Sequence, residues 1–315
     1  MLSYRHGFHA GMHADVLKHV VLVHLLHYLV QKDRPLWFVD THAGAAVHAL
    51  DGGYAAKTAD FETGIGRLWR RDDLPGAVAE YVQQVRALNP GGVLRRYPGS
   101  PQLAMQMLRK QDRLRMFELH STEIRLLQHY LRGQAPRAIA QAGDGFDGLQ
   151  SVLPPPSRRG LVLIDPSYED KGDYKRVIEA LREGLKRFRT GVYAIWYPQV
   201  QRHESRRFPD MLKRLQEKEW LHVSLTVKAP VAGGLGLHGS GMFVLNPPWT
   251  LPKALRLVMP YLVEVLGQDA AAGFELEASS REHQGGRRYA PSRPILPRFP
   301  QPVALPQAAP HRRRR

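Results

Sequence analysis

Seven short apolar runs, all but one ending in a polar or acidic residue, constrain this chain more than any other feature. They are Leu36 to Asp40, Leu114 to Glu118, Ala138 to Asp144, Leu161 to Asp165, Val192 to Tyr197, His222 to Val227 and Met242 to Asn246. Several are β-branched and most are separated by helix-length segments, which is the pattern of a doubly wound, mainly parallel α/β sheet. In open sheets of that kind the ligand lies beyond the carboxyl ends of the strands. Asp40, Glu118, Asp144 and Asp165 would all fall there. Any one of them reads equally well as the N-cap of the next helix, but their recurrence at successive strand ends points to a single binding edge.

Around this framework the chain divides unevenly. Apolar residues at helical spacing from Ala14 to Gln31 predict an N-terminal helix behind a short leader rich in His and Gly. The stretch from about 47 to 97 is too long for a simple strand connection, and the periodicity of Ile65, Leu68, Trp69, Val78, Val82 and Val85 predicts a small helical insertion. The folded domain is expected over 1–266. Residues 267–315 are expected to form a disordered basic tail, because from Arg281 onward seven prolines and nine arginines leave little apolar surface to bury.

Composition narrows the function classes. The absence of cysteine excludes disulfides, thiolate zinc sites and cysteine nucleophiles. The apolar run Val20 to Val30 is interrupted by His24 and His27 and is too short to span a bilayer, so a cytoplasmic protein with no membrane association is expected. The 45 Lys and Arg against 29 Asp and Glu give a net charge of +16, half of it within the last 35 residues, and imply a polyanionic partner.

The turn Asp40-Thr41-His42-Ala43-Gly44-Ala45 has the logic of strand, tight turn and helix start, but only one glycine where a dinucleotide fingerprint has three. A nucleoside ligand without a pyrophosphate, such as S-adenosyl-L-methionine, fits better. Glu118 would accept from both ribose hydroxyls, and Asp144-Gly145 would receive the adenine amino group. Leu161-Val162-Leu163-Ile164-Asp165-Pro166-Ser167-Tyr168 resembles the Asp/Asn-Pro-Pro-aromatic motif of methyltransferases that act on exocyclic amines. Such an amine is a poor nucleophile because its lone pair is delocalised into the ring. Asp165 and the carbonyl of Pro166 would accept its two hydrogens and localise the lone pair, while Tyr168 would stack on the base. Ser167 replaces the usual second proline and loosens the turn. Asn246-Pro247-Pro248-Trp249 matches the motif more literally, yet by strand order it ends the last hairpin, so a structural turn or rim contact is expected there.

The strings from Tyr4 to His19 (Tyr-Arg-His-Gly-Phe-His-Ala-Gly-Met-His-Ala-Asp-Val-Leu-Lys-His), Asp40 to Gly44, Tyr97-Pro98-Gly99-Ser100-Pro101 and Ser157-Arg158-Arg159-Gly160 resemble the RlmJ family of large-subunit ribosomal RNA adenine-N6 methyltransferases. The similarity covers about residues 1–266. It implies a Rossmann-like seven-stranded methyltransferase sheet, S-adenosyl-L-methionine as methyl donor, and 23S ribosomal RNA as the substrate of a monomer without an obligate protein partner. It places donor contacts on His19, His42, Ser100, Glu118, Asp144 and Gly145, the catalytic acid on Asp165, an RNA contact on Tyr4, and a donor-side or substrate-side role on Lys18. A DNA adenine-N6 methyltransferase would share the same chemistry. A non-catalytic nucleic-acid binding protein involved in DNA utilisation is the alternative from another class. His9 and His13, four apart, lack an acidic ligand at metalloprotease spacing, and no metal is expected.

Overall fold

The computed structural model describes residues 6–52, 58–215, 219–231 and 236–279. Helix α1 (His13–Val30) precedes strand β1 (Trp37–Asp40). Strands β2 (Val47–Ala49) and β3 (Arg96–Pro98) then bracket helices α2 (Ile65–Trp69) and α3 (Gly76–Ala87). The chain continues through α4 (Ser100–Met107), β4 (Arg113–Glu118), α5 (Ser121–Tyr130), β5 (Ala138–Ala142), α6 (Gly145–Val152) and β6 (Gly160–Ile164). It ends with α7 (Gly172–Arg187), β7 (Val192–Gln199), α8 (His203–Lys213), β8 (Trp220–Thr226), β9 (Gly239–Leu245), α9 (Leu251–Leu266) and β10 (Gly273–Ala278).

The main sheet has the order β10-β8-β9-β7-β6-β1-β4-β5. Strands β5, β4, β1, β6 and β7 are parallel neighbours, whereas β9, β8 and β10 add antiparallel pairs beyond β7. From β1 the chain runs outward to β4 and β5, then returns to β6 on the other side of β1. That reversal makes the carboxyl ends of β1 and β6 the switch point where a crevice opens.

The period of two along each strand sorts the core into two layers. Leu161 and Leu163 of β6 join Phe38 in the layer that packs on α1, while Val162 and Ile164 join Val39 in the layer under α6, α7 and α8. All five residues of β6 are buried, as expected of a strand covered on both faces. Helix α1 is buried nearly all round rather than on one stripe. The insertion explains this: α1 is enclosed by α3, α4, α9 and the sheet.

The mainly parallel α/β sheet is as expected and carries one further strand: Gly273–Ala278, beyond residue 266, pairs with β8 in register, Phe274 opposite Leu225 and Leu276 opposite Val223. This edge strand has only two large apolar residues alternating with Glu275 and Glu277, too little to stand out after the change of composition at Gly267. The insertion is helical as expected, but it is closed by the antiparallel β2–β3 ribbon. The expected disorder of residues 280–315 lies outside the described residues.

Candidate active site

A cleft of about 660 Å³ opens at the switch point. Its walls come from the leader and α1, from the turns after β1, β4, β5 and β6, and from the ends of β7 and β8.

The turn after β1 is fastened to β4. Ala43 N–H donates to the Phe117 carbonyl at 2.9 Å, and Gly44 N–H donates to Oε2 of Glu118 at 2.8 Å. The other carboxylate oxygen of Glu118 accepts from His120 N–H at 2.6 Å. Each oxygen thus keeps a lone pair for a further donor. Gly44 adopts φ +61°, where a side chain would strain the backbone, and the space beside its Cα is open. Gly145 is required for a different reason: a Cβ there would lie 1.7 Å from the Thr41 carbonyl, so only glycine lets α6 start against the β1 turn.

Asp144 caps α6 by accepting from Phe146 N–H at 2.9 Å, and its other oxygen pairs with Arg176 of α7. Burial opposes ionisation of this carboxyl, but Arg176 and the Phe146 amide hold it below the usual carboxylate range. The capping role and a place in the cleft wall therefore coexist. His42 shares a 2.8 Å hydrogen bond with the Thr41 hydroxyl and meets the Phe146 ring edge-on. Burial depresses its pKa to about 4, so it is a neutral imidazole at physiological pH.

Asp40, the fourth acid, does not line the cleft. It is fully buried behind it and accepts from Ser100 Oγ at 2.6 Å. Burial pushes its pKa up to about 7, against the Ser100 bond, and the charge of Asp165 adds to the rise. His19 shares a 2.8 Å hydrogen bond with the Tyr97 hydroxyl, which in turn contacts the Tyr81 hydroxyl at 2.9 Å. Through this pair the insertion buttresses the cleft.

Asp165 follows the last residue of β6 and faces α1. Lys18 Nζ donates to its Oδ2 at 2.6 Å and also pairs with Asp15 at 2.9 Å. Burial alone would lower the pKa of this ammonium, but the two carboxylates raise it far above its usual value. Lys18 is therefore a fixed positive charge, seated 5.7 Å from the centroid of the Trp196 ring. Asp15 also accepts from Gly11 N–H at 2.9 Å and so ties the leader to the same network.

Tyr168, the expected stacking residue, lines the cleft with most of its ring packed. The residue is 2% exposed, its hydroxyl donates to the Trp196 carbonyl at 2.7 Å, and its ring packs among Tyr174, Trp196 and Phe208. It forms a packed wall. Its backbone is left-handed, φ 54°, and Arg202 secures it by donating to its carbonyl at 2.9 Å. Asp15, Trp196, Arg176 and Arg202 were not singled out from the sequence. Only Asp15 carried a local signal, its i,i+3 spacing to Lys18; the others arrive from separate elements.

Of the remaining candidates, Ser100, Pro166 and Ser167 line the cleft, and Tyr4 lies outside the described residues. Asn246 stands at the opposite end of the sheet, where its amide donates to the carbonyls of Arg189 and Gly191. His9 pairs with Asp60 at 2.7 Å, and His13 is buried. Among the described residues the grouping with metal-ligand spacing is His222, Glu275 and Glu277, outside the cleft, with Glu277 engaged by Lys213.

A cleft at the switch point of a mainly parallel α/β sheet, with an acid at the end of β4 and an Asp-Pro-Ser-Tyr turn after β6, is an arrangement compatible with an α/β methyltransferase. The comparisons with known proteins narrow this class. The family described as "Ribosomal RNA large subunit methyltransferase D, RlmJ" matches residues 33–277. Ribosomal RNA large subunit methyltransferase J of Escherichia coli is 45% identical over 262 residues, 83% of this chain and 93% of the relative. The protein of the same name from Haemophilus influenzae is 42% identical over 278 residues, 88% of this chain and 98% of the relative. A crystal structure of a Legionella pneumophila protein superposes with a TM-score of 0.79 at 34% identity, covering 87% of this chain and 99% of that one. The chain belongs to the RlmJ family of ribosomal RNA large-subunit methyltransferases.

Proposed function

We propose that this protein transfers a methyl group from S-adenosyl-L-methionine to the exocyclic N6 of an adenine in 23S ribosomal RNA. The observation that carries this reading is Asp165, held at the switch point by Lys18 and followed by Pro166, beside the acid-lined pocket of Glu118 and Asp144.

The donor fits the residues present. The cleft volume of about 660 Å³ falls within the range of nucleoside-sized sites. Glu118 keeps an acceptor on each oxygen for the ribose hydroxyls, and the open space at Gly44 admits the ligand next to the backbone. Asp144 would receive the adenine amino group, with His19, His42, Ser100 and Gly145 as neighbouring wall. When bound, the donor supplies an electrophilic methyl on a sulfonium. Asp165 and the Pro166 carbonyl accept the hydrogens of the target amine and localise its lone pair. Lys18 holds the Asp165 carboxylate in place through its 2.6 Å hydrogen bond to Oδ2. The target nucleotide must leave its stack to reach this depth. Tyr4 is assigned to the RNA side, and Lys18 acts on the substrate side through Asp165.

The same reading places the protein in the cytoplasm as a monomer without an obligate protein partner. Among the described residues no helix is long and apolar enough to cross a membrane. The test is methyl transfer from tritiated donor to deproteinised large-subunit RNA lacking the modification, with duplex DNA in competition and nucleoside analysis of the product. N6-methyladenosine in RNA is expected. Label in the DNA alone would favour the DNA enzyme, and no label in either would favour a binding protein.

A further inference from the structure

The end of the sheet opposite the cleft carries charge that the proposed reaction does not use. Strands β1, β4, β5, β6 and β7 all begin there, and the segments leading into them (31–36, 108–113, 131–137, 154–159 and 187–191) hold eleven Lys and Arg against two acids. One of the acids, Asp112, is fully buried and committed to Leu36 N–H and Arg109. The cleft lining has the reverse balance, with eight Asp and Glu against four Lys and Arg. An RNA held only by the cleft edge would approach the more acidic end of the molecule.

Some of these guanidiniums serve the fold. Arg159 donates to the Leu29 and Arg34 carbonyls, and Arg109 to those of Lys32 and Arg34. Arg113 is half-buried and donates from one nitrogen to the Lys110, Gln111 and Asp112 carbonyls, whereas Arg34 and Arg158 are exposed. Arg34, Arg113 and Arg158 line a second, open cleft of about 630 Å³ together with Trp37, whose ring lies 4.5 Å from the Arg115 guanidinium. Burial lowers the pKa of Arg115 and of Arg159, and neighbouring arginines lower both further, the mark of a positive cluster short of counter-charge.

The Arg158 side of this cleft is preset. Arg158 is in the left-handed region at φ 53°, closing a turn in which its N–H donates to the Pro155 carbonyl at 2.9 Å. A non-glycine residue persists there only where its surroundings hold it. Three successive prolines, Pro154 to Pro156, lead into it and limit the entropy lost on binding. Ser157 and Arg158 of the string Ser157-Arg158-Arg159-Gly160, conspicuous in the sequence yet without a role in methyl transfer, form this wall.

We infer that this end of the sheet is a second RNA-contact surface, on which phosphates of a backbone segment remote from the target adenine dock against Arg34, Arg113 and Arg158. The inference rests on the ribosomal RNA reading given above. Spread arginines at an open cleft suit a phosphodiester backbone rather than a base edge, and they would add affinity and orientation without sequence readout. The five residues of β6 put the two ends only roughly 16 Å apart before the loops are added, a span that a folded RNA with neighbouring helices bridges.

The test uses the full chain carrying R34Q and R158Q, both exposed positions, with folding checked by circular dichroism. Binding across a salt series is compared for a long 23S fragment and for a minimal hairpin that contains the target adenine. The double variant should bind the long fragment about tenfold more weakly, and its plot of log K against log salt should be shallower by about 1 to 2, the counterions of one or two phosphates. Methylation of the hairpin should keep its kcat and KM. Unchanged affinity and slope on the long fragment, or an equal loss on both RNAs, would overturn the inference. A wild-type protein that binds the long fragment with the steeper slope but methylates neither RNA would instead sink the functional reading and leave the docking surface standing.

Discussion

Asp165 and Asn246 each end an apolar strand and each precede a proline, yet the fold sends them to opposite ends of the sheet. β9 runs antiparallel to β7, so Leu245 pairs with Tyr193 at the beginning of β7, whereas Asp165 follows the carboxyl end of β6. Asp165→Ala should lower single-turnover methylation by at least ~10²-fold with donor affinity nearly unchanged, as for loss of one group from a preorganised polar site. Asn246→Ala should keep the rate and cost about 1 kcal/mol of stability per hydrogen bond lost to the Arg189 and Gly191 carbonyls. A dead Asn246 variant beside an active Asp165 variant would refute the assignment. Glu118→Ala should weaken donor binding by about 1.5 to 3 kcal/mol, the range for hydrogen bonds to a charged group, and calorimetry with unchanged affinity would remove Glu118 from the site. At this scale the strand-end acids were legible because each directly follows a recognisable apolar run. The burial of Tyr168 was not, because it depends on Tyr174, Trp196 and Phe208, which the chain brings from three other elements.

Strand β10 shows why element ends are harder to read than element interiors. The buried strand β6 announces itself by five consecutive residues without a charge, whereas Gly273–Ala278 has one neighbour strand, carries two glutamates and follows a short loop of small and polar residues, 267–272. Its role is nonetheless specific, since it covers the outer backbone edge of β8 over six paired residues. A chain ending at residue 266 should expose that edge, melt several degrees lower and aggregate on refolding, while a chain ending at residue 280 should match the full-length melting temperature. Equal melting of both truncations would mean that β10 adds nothing to stability. The helices of the insertion were legible from their 3.6 period, but the three-residue strands β2 and β3 were too short to carry a period of their own. Their ribbon matters because it positions Tyr97 against His19, a contact between residues far apart in sequence.

Across the whole molecule, the titratable groups that burial perturbs most do not all act in the same direction with pH. Burial depresses His13, His42 and His222 to about 4. In the unfolded chain each would bind a proton near the ordinary histidine value of about 6.5. Between those limits the unfolded state holds more protons, so stability rises with pH and is lost on acidification from about 6.5 toward 4. Asp40 works against this: the folded protein keeps its proton up to about 7, the unfolded chain releases it near 4, and stability from this group falls as pH rises through the same window. His24 and His238 are lowered in the same sense and Asp173 is raised in the opposite one, so the histidines outweigh the carboxyls and the net effect is loss of stability toward acid, each unbalanced proton being worth about 1.4 kcal/mol per pH unit. Denaturant melts at pH 6.5, 5.5 and 4.5 should therefore show a steep loss toward acid. Asp40→Asn should make that loss steeper by removing the opposing group, and His222→Gln should make it shallower. Stability that stays level from pH 6.5 to 4.5 in the wild type would mean that the histidines take up protons within the folded protein, and the neutral His42 assigned to the cleft wall would have to be abandoned with them.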